Sequence, residues 1–382
     1  PSRGVAQELP RTLKTRLDQW YRTARRSAPG TWGIVVADQQ GQILWSVNPD
    51  TPLIPASTVK LLTTGYARSV LGGDARQSTR VVGYGTLDES TGEWNGRWAL
   101  ELNGDPTLES PDGSGPRLQD LANQLAASGV RQLRGPLTVL SADGTPAEAH
   151  FPTVWNRGNW GSLYTPLVGA LTLHENVVWL HVAPGRKVGA RPTLVQTSPA
   201  GLNALVTVHA STVGGRRSRL RIRRMADGGY LVTGAVGVGA GVRRLVTVAG
   251  DPRAVLAAAW ARALEQAGIA WDRTPSPILV ENPPTEVMAS VESATFDSVA
   301  YEVNRRSLNI GAELLLRWAA GPDRGPELLT EHVQQMAGVA GGVKLVDGSG
   351  MSHQDRVTSA TFIYYMAHFQ NTPAGRNFPY LL

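Results

Sequence analysis

The feature that most constrains the fold is a serine three residues before a lysine, at the start of a predicted helix. The preceding segment, residues 51–55, contains two prolines and cannot continue a helix. Apolar side chains then recur at helical spacing as far as Gly72, and these are Val59, Leu61, Leu62, Tyr66, Val70 and Leu71. Ser57 therefore falls in the first turn of the predicted helix, with Lys60 on the next turn.

This spacing brings a hydroxyl and an amine together, because residues i and i+3 share one face of a helix. A free serine is a poor nucleophile, and a lysine that removes its proton must be neutral for part of the time. Burial of Lys60 would lower its pKa toward that condition. The unpaired N–H groups of the helix start would lie near an oxyanion formed at Ser57. The pattern indicates a nucleophile and its base.

A simpler interpretation is that Ser57 caps the helix while Lys60 points into water. The chain contains four lysines, Lys14, Lys60, Lys187 and Lys344, and only Lys60 has a serine three residues before it. Apolar residues flank Lys60 on both sides, which favours its burial. The catalytic interpretation is therefore preferred.

Composition fits a globular protein and excludes several function classes. The 382 residues include no cysteine, which excludes disulfide and thiol chemistry. The sequence contains no run of eighteen apolar residues, so no membrane-spanning helix is predicted. The seven histidines are scattered along the sequence. Residues 237–241, GVGAG, fit neither the G-x-G-x-x-G pattern nor the Walker A pattern of nucleotide-binding loops. No metal site and no cofactor are predicted.

The chain is basic, with a formal charge of +6 and 33 arginines. This charge would suit an anionic partner such as a cell-wall polymer or a nucleic acid, although arginine-rich composition alone explains it. Residues 219–223 alternate strictly, so that arginines line one face of a predicted strand. Since no aromatic residue is interleaved, a solvated strand is favoured over a nucleic-acid surface.

The texture of the sequence changes twice along the chain. Residues 1–79 and 285–382 have helical patterns with one strand pair, whereas residues 80–284 contain short strands and frequent turns. These segments are interpreted as one domain split by an inserted region, with a nested β module at about residues 176–248. Predicted elements are helices over 13–24, 118–127, 254–267 and 359–369, and strands over 32–37 and 43–47.

Two more polar stretches carry candidate site residues. Ser307 and Asn309 precede Ala312 and Glu313, although a Ser-x-Asn triplet alone is most simply a helix cap or turn. A Gly-rich turn, DGSGMS, follows at residues 347–352.

Together these motifs resemble those of the low-molecular-mass class C penicillin-binding proteins. This serine D-alanyl-D-alanine carboxypeptidase/endopeptidase family shares its fold with serine β-lactamases. Residues 57–60 correspond to its first motif, residues 307–309 to its second, and residues 347–352 to its Asp-Gly-Ser-Gly loop. Residues 104–108, GDPTL, also look like a family signature. The separation of 250 positions between Ser57 and Ser307 fits a catalytic domain split by a large insertion.

The resemblance implies an α+β fold: an antiparallel sheet flanked by helices, with a large, mostly β insertion. It also implies acyl transfer on the terminal D-Ala-D-Ala of a peptidoglycan stem peptide, and acylation by β-lactam antibiotics. Ser57 would attack the penultimate carbonyl, and Lys60 would receive its proton. Ser307 would relay a proton to the leaving amine, and Asn309 would hold the substrate's amide carbonyl.

One family motif is missing. A Lys-Thr-Gly sequence should follow the Asp-Gly-Ser-Gly loop, but the sequence ends at Leu382 before reaching it. The similar residues 14–16 and 187–189 precede Ser307 and have the wrong order. We expect that this sequence stops short of the natural C-terminus, because the hairpin over residues 32–47 would otherwise lack neighbouring strands.

Two other functions stay open at this point. The first is a β-lactamase or esterase on the same fold, against which the size of the insertion argues. The second is a non-catalytic wall-binding protein, which a truly absent third motif would favour. The resemblance implies a periplasmic or other extracytoplasmic location, with association at the membrane periphery or cell wall. The start at Pro1, without a signal segment, is interpreted as processed or trimmed.

Overall fold

A computed structural model describes residues 9–274 and 286–378 of the protein. The helices in these ranges are α1 (Arg11–Ser27), α2 (Val59–Leu71), α3 (Leu118–Ala127), α4 (Pro252–Gln266), α5 (Phe296–Arg306), α6 (Asn309–Ala320), α7 (Gly325–Ala337) and α8 (Ser359–Phe369). The strands are β1 (Ile34–Ala37), β2 (Ile43–Val47), β3 (Ser78–Asp88), β4 (Glu93–Glu101), β5 (Gln132–Arg134), β6 (Val139–Leu140), β7 (Val177–Ala183), β8 (Thr193–Ser198), β9 (Val206–Val213), β10 (Ser218–Arg224), β11 (Tyr230–Gly237), β12 (Arg243–Val248), β13 (Ala270–Asp272), β14 (Glu286–Glu292), β15 (Val343–Lys344) and β16 (Arg356–Val357). Within the described ranges, no helix is both long and apolar enough to cross a bilayer.

The predicted helices are present, with differences at their ends. Helices α3 and α8 have the predicted limits, whereas α1 extends beyond residues 13–24 at both ends. Helix α4 begins two residues early because Asp251 caps it: its carboxylate accepts hydrogen bonds from the N–H groups of Arg253 and Ala254. Pro252 occupies the first turn, where a missing N–H costs nothing.

The described chain forms two compact units. The first unit contains the residues up to Gly73 and those from Ala300 onward, and the second contains Asp74–Val299. The predicted boundary between residues 284 and 285 lies outside the described residues. The domain limits drawn from the sequence stay a prediction.

The first unit is mainly helical, with α2 packed against α6 and α7. Helix α8 packs against α7 and β1, and β1 pairs with β2 in an antiparallel hairpin. Within the described residues, this hairpin pairs with no third strand. A Cβ atom at Gly65 would lie 2.2 Å from the Tyr365 hydroxyl, so glycine is needed where α2 approaches α8. Helix α2 ends at Leu71, and the next residue, Gly72, has a φ of +83° that favours glycine.

A second strand pair in this unit holds a polar loop close to α2. Strands β15 and β16 pair antiparallel through Val343–Val357 and Lys344–Arg356. Val357 also exchanges both backbone hydrogen bonds with Leu53, which lies just before α2. The loop over residues 345–355 is thereby fixed at both ends.

The second unit is built on a six-stranded sheet in the order β13-β5-β4-β3-β14, with β6 also paired to β4. Strands β3 and β4 form a long antiparallel hairpin, and α3 packs against α4 and β14. Trp98 and Trp260 are buried with rings 6.4 Å apart in the core of this unit. In the segment 104–108, the Asp105 carboxylate accepts hydrogen bonds from the Thr107 N–H and hydroxyl.

A β module, formed by strands β7 to β12, lies within the second unit. It contains two three-stranded sheets, β12-β7-β8 and β10-β11-β9. In the latter, β10 and β11 pair antiparallel whereas β11 and β9 pair parallel. Most of the side chains that alternate toward the core are apolar, including the buried Tyr230 and Val232, and two threonines, Thr197 and Thr212, are buried with them.

Candidate active site

Ser57 lies in a short 3₁₀ turn, Ala56–Thr58, directly before α2. The Thr58 hydroxyl donates a 2.7 Å hydrogen bond to the Pro55 carbonyl and closes this turn. Ala56 has a φ of +49°, a conformation that costs a non-glycine residue roughly 1 to 2 kcal/mol. The turn presents the Ser57 side chain to solvent, where an incoming ligand can reach it.

Lys60 lies beneath Ser57 on the first turn of α2 and is 1% exposed. Its Nζ donates to the Ser57 Oγ at 3.1 Å and to the Ser349 carbonyl at 2.7 Å. A third acceptor, the Asn309 Oδ1, lies at 2.7 Å. Three acceptors around one buried ammonium satisfy all of its donors and fix the amine against the serine.

The protonation of Lys60 reflects two opposing effects. Burial lowers the pKa of Lys60 from its ordinary value of 10.5 to about 8, although the carboxylates of Glu313 and Asp347 act in the opposite direction. Desolvation therefore outweighs the two negative charges. A lysine with this pKa can exchange a proton near neutral pH.

Ser307 brings a second hydroxyl to Ser57. It lies in the turn between α5 and α6 with a φ of +54°, and its Oγ donates to the Ser57 Oγ at 2.9 Å. The turn is held by the Leu308 N–H, which donates to the Val303 carbonyl at 3.0 Å. A strained backbone at a solvent-exposed polar residue is typical of a functional site.

Asn309 begins α6 and is buried. Since its Oδ1 accepts from Lys60, the orientation of the amide is set by that contact. The side-chain amide nitrogen is then the donor group of Asn309. Ser57, Lys60, Ser307 and Asn309, the four residues singled out in the sequence, thus form one hydrogen-bonded group.

The loop over residues 345–355, which we call the Asp347 loop, contacts this group through Lys60. Both Asp347 carboxylate oxygens accept from loop N–H groups, those of Ser349, Gly350 and Ser352, at 2.6 to 3.0 Å. The Thr63 hydroxyl donates to the Gly348 carbonyl at 2.7 Å and ties the loop to α2. This bonding presents the Ser349 carbonyl to Lys60.

Gly350 allows the loop to contact the 3₁₀ turn that carries Ser57. Its φ is +76°, and a Cβ atom there would lie 1.8 Å from the Ala56 carbonyl oxygen. No other residue type fits this backbone position without displacing Ala56, the neighbour of Ser57.

Three buried or largely buried carboxyl groups, those of Glu313, Asp347 and Asp355, lie around Lys60 and the Asp347 loop. Glu313 accepts from the Gly348 N–H at 3.1 and 3.2 Å, and burial, followed by the charge of Asp347, raises its pKa. Asp355 is fully buried and accepts from the Val346 N–H at 2.8 Å. Burial, followed by the charge of Asp347, raises the pKa of Asp355 to about 7.

Sequence reasoning missed several residues of this group. Glu313 was noted only as part of a motif, and Asp355 was not noted at all. Thr64 was also missed: its hydroxyl donates to the Lys60 carbonyl at 2.8 Å and accepts from Asn304 at 3.1 Å. A polar threonine one turn after Lys60 on a mostly buried helix face was the signal that could have identified it. Among the described residues, no cluster of His, Asp or Glu side chains has the geometry of a metal site.

Comparison with solved structures shows the same fold. Penicillin binding protein 4 (dacB) of Haemophilus influenzae matches with a TM-score of 0.70 and 19% identity, covering 94% of this chain and 79% of that one. The same protein complexed with a novel β-lactam matches with a TM-score of 0.63, also at 19% identity, covering 89% and 74%. The predicted class, an α+β peptidase-like domain with a large inserted β region, is confirmed.

Comparison with curated proteins identifies more closely related sequences. A D-alanyl-D-alanine carboxypeptidase of Actinomadura sp. (strain R39) is 27% identical over 369 residues, which cover 89% of this chain and 65% of that protein. A carboxypeptidase of Mycobacterium tuberculosis is 41% identical over 97 residues, or 24% of this chain and 20% of that protein. The chain therefore spans less than two thirds of the length of either relative. Residues 16–382 match the model of the D-Ala-D-Ala carboxypeptidase 3 (S13) family, and the chain belongs to this family.

Proposed function

We propose that the protein is a serine D-Ala-D-Ala carboxypeptidase/endopeptidase that acts on peptidoglycan stem peptides through an acyl-enzyme. The observation that carries this proposal is the Ser57 hydroxyl, hydrogen-bonded both to the buried Lys60 amine and to Ser307. Membership of the family and the activity named for the Actinomadura relative support the same reaction.

Attack by Ser57 is the first chemical step. The Ser57 Oγ bonds to the penultimate carbonyl carbon while Lys60 takes the hydroxyl proton, and negative charge develops on the carbonyl oxygen. With a pKa of about 8, about one Lys60 in ten is neutral at pH 7 and ready to accept the proton. The Ser57 backbone N–H is one donor to the oxyanion, and losing such a donor costs on the order of 3 kcal/mol of barrier.

Collapse of the tetrahedral intermediate breaks the C–N bond to the terminal D-Ala. Ser307, 2.9 Å from the Ser57 Oγ, relays a proton from Lys60 to the departing amine. The Asn309 amide nitrogen donates to a carbonyl of the substrate and aligns the peptide. Water then hydrolyses the ester at Ser57, with Lys60 again acting as the base, and the free enzyme returns.

The same nucleophile explains acylation by β-lactams. A penicillin presents a strained amide carbonyl to Ser57, and opening of the lactam ring leaves an ester on the serine. Because the substrate peptide lies outside the cytoplasmic membrane, we expect the protein in the periplasm or another extracytoplasmic compartment, at the membrane periphery or wall. Detection in the cytoplasmic fraction alone would contradict this location.

The proposal is tested by incubation with benzylpenicillin and mass spectrometry of the intact and digested protein. We expect a covalent mass increase on the peptide that contains Ser57, and no increase in a Ser57→Ala variant that unfolds at the wild-type temperature. A matched control is Ser69→Ala, in the same helix but outside the hydrogen-bonded group.

Other outcomes distinguish the remaining functions. Absence of acylation in a folded protein would contradict the proposal and favour a non-catalytic wall-binding protein. Rapid turnover of penicillin, without cleavage of a D-Ala-D-Ala peptide, would favour a β-lactamase.

A further inference from the structure

The β module carries an unusual concentration of positive charge. Residues 177–248 contain eleven basic side chains and one acidic side chain, Asp227, so their formal charge exceeds the +6 of the whole chain. The remainder of the protein is therefore net negative. The excess positive charge is local to one part of the fold rather than spread over the protein.

Three of these arginines form a row on β10. Arg219, Arg221 and Arg223 are exposed, whereas the alternating Leu220 and Ile222 pack against the core. Successive outward side chains on a strand lie about 7 Å apart. Within the described residues, no ion pair to a carboxylate is formed by any of the three.

Strand pairing extends this row into a continuous polar surface, which we call the basic face. Arg221 lies opposite Thr233 of β11, and Thr233 lies opposite His209 of β9. The exposed Thr207 and Ser211 flank His209 on the same side of β9. The basic face thus consists of a row of three guanidinium groups beside three hydroxyl groups and the imidazole of His209.

The chemistry of the basic face selects the kind of ligand. Guanidinium groups bind phosphate through paired N–H donors, and a row of them at regular spacing suits a linear polymer with repeated phosphates. No Phe, Tyr or Trp lies on this side of β9, β10 or β11, so stacking platforms for nucleic-acid bases are lacking. Its larger apolar side chains, Leu231 and Val213, lie near opposite ends, which does not suit insertion into a bilayer.

We infer that the basic face binds a linear phosphodiester polymer without bases, of the kind that a cell envelope can contain. Binding at this surface is separate from acylation of Ser57 and requires no residue of the active site. Retention on such a polymer would raise the local concentration of the enzyme at its substrate, without adding a contact to the substrate itself.

The test measures fluorescence anisotropy of labelled poly(glycerol phosphate) with the full chain at about 50 and about 200 mM NaCl. We expect binding that weakens at least tenfold over this range, and at least tenfold weaker binding for the triple variant Arg219→Glu, Arg221→Glu, Arg223→Glu. The control triple variant Arg11→Glu, Arg16→Glu, Arg22→Glu makes the same charge change on α1. We expect the control to lose less than about threefold.

Several results would overturn the inference. They are undetectable binding by the wild-type protein, equal losses in the two triple variants, or tighter binding to single-stranded oligothymidine or to phosphatidylglycerol vesicles than to the polymer. Acylation by benzylpenicillin and the unfolding temperature should be unchanged in both variants. If the glutamate variant does not fold, the glutamine triple at the same positions provides the same comparison.

Discussion

Lys60 is buried, and its surroundings act on its protonation in two opposite directions. Glu313 and Asp347 favour the ammonium form, and burial favours the neutral amine. Because burial has the larger effect, the neutral form is accessible at moderate pH. The rate of acylation should therefore report the protonation of a single side chain.

The first prediction concerns the pH dependence of acylation. The second-order rate constant with benzylpenicillin should rise by up to about tenfold per pH unit below pH 8 and level off above it, because only neutral Lys60 accepts the proton. Lys60→Arg keeps the charge but supplies no base, and should lower the rate by about 10² to 10⁴. Lys14→Arg, at an exposed lysine, is the control. A wild-type profile that is flat from pH 6 to 9 would contradict the assignment of Lys60 as base.

The second prediction concerns Asp355, whose carboxyl is buried and close enough to Asp347 to be affected by its charge. Its folded-state pKa of about 7 is above its ordinary value of 3.8, so the folded protein binds the extra proton between these values and wild-type stability falls as pH rises. The side-chain amide of an Asp355→Asn variant can accept from the Val346 N–H and stays neutral at any pH. This variant should therefore become more stable than wild type as pH rises from about 4 to about 7, by at most about 1.4 kcal/mol per pH unit.

Chemical unfolding at several pH values measures this difference. Asp50→Asn, at an exposed aspartate, should show no such trend. A constant difference between Asp355→Asn and wild type from pH 4 to 8 would show that Asp355 is not protonated in the folded protein.

The residues of the site differ in how far the sequence could predict them. Ser57 and Lys60 were predictable because their contact depends only on helix geometry over three residues. The contact between Lys60 and the Ser349 carbonyl spans 289 residues and requires the tertiary fold. The proximity of Asp355 to Asp347 depends on the path of a turn that the sequence shows only as glycine-rich.

At the scale of elements, the site depends on the contact between the Asp347 loop and the 3₁₀ turn before α2. Gly350 makes this contact possible, since its backbone lies against the Ala56 carbonyl. Any side chain there must push the Ser57 turn away from Lys60. The position of the Ser57 side chain should thus be more sensitive to this glycine than global stability is.

The third prediction compares two glycines with similar backbone conformations. Gly350→Ala should lower the acylation rate at least about tenfold, because its methyl group would lie 1.8 Å from the Ala56 oxygen. Gly338→Ala has a comparable φ of +66° but no atom within 4 Å of its Cβ. Backbone strain should cost Gly338→Ala about 1 kcal/mol of stability, and Gly350→Ala at least as much because Ala56 must also move, as measured by chemical unfolding. Equal acylation rates would show that the contact at Gly350 does not position Ser57.

Elements whose ends carry local sequence signals were predicted more successfully than the pairing between elements. The apolar spacing and glycine stop of α2 define its C-terminal limit. The start of α4 was predicted two residues late, although Asp251 and Pro252 are a local signal for it. Strand order was not predictable, because the parallel pairing of β9 with β11 brings together segments separated by β10. Short strands such as β15 and β16 have no periodicity that could reveal them.

At the scale of the whole molecule, the sequence predicted a helical part interrupted by a mostly β region. Both kinds of structure are present, in two compact units. The charge asymmetry was visible only as a basic total, because the sequence does not show which arginines share a surface. Strand register supplies that information and turns an alternating pattern on β10 into an extended face.

The three acceptors around Lys60 have a consequence for its deprotonated state. A neutral amine keeps two hydrogens, and the Asn309 Oδ1 and the Ser349 carbonyl, neither of which can donate, retain both of them. The nitrogen lone pair is then directed at the Ser57 hydroxyl, which reverses its role from acceptor to donor. Loss of one proton from Lys60 thus places a proton acceptor at the Ser57 hydroxyl without movement of any heavy atom.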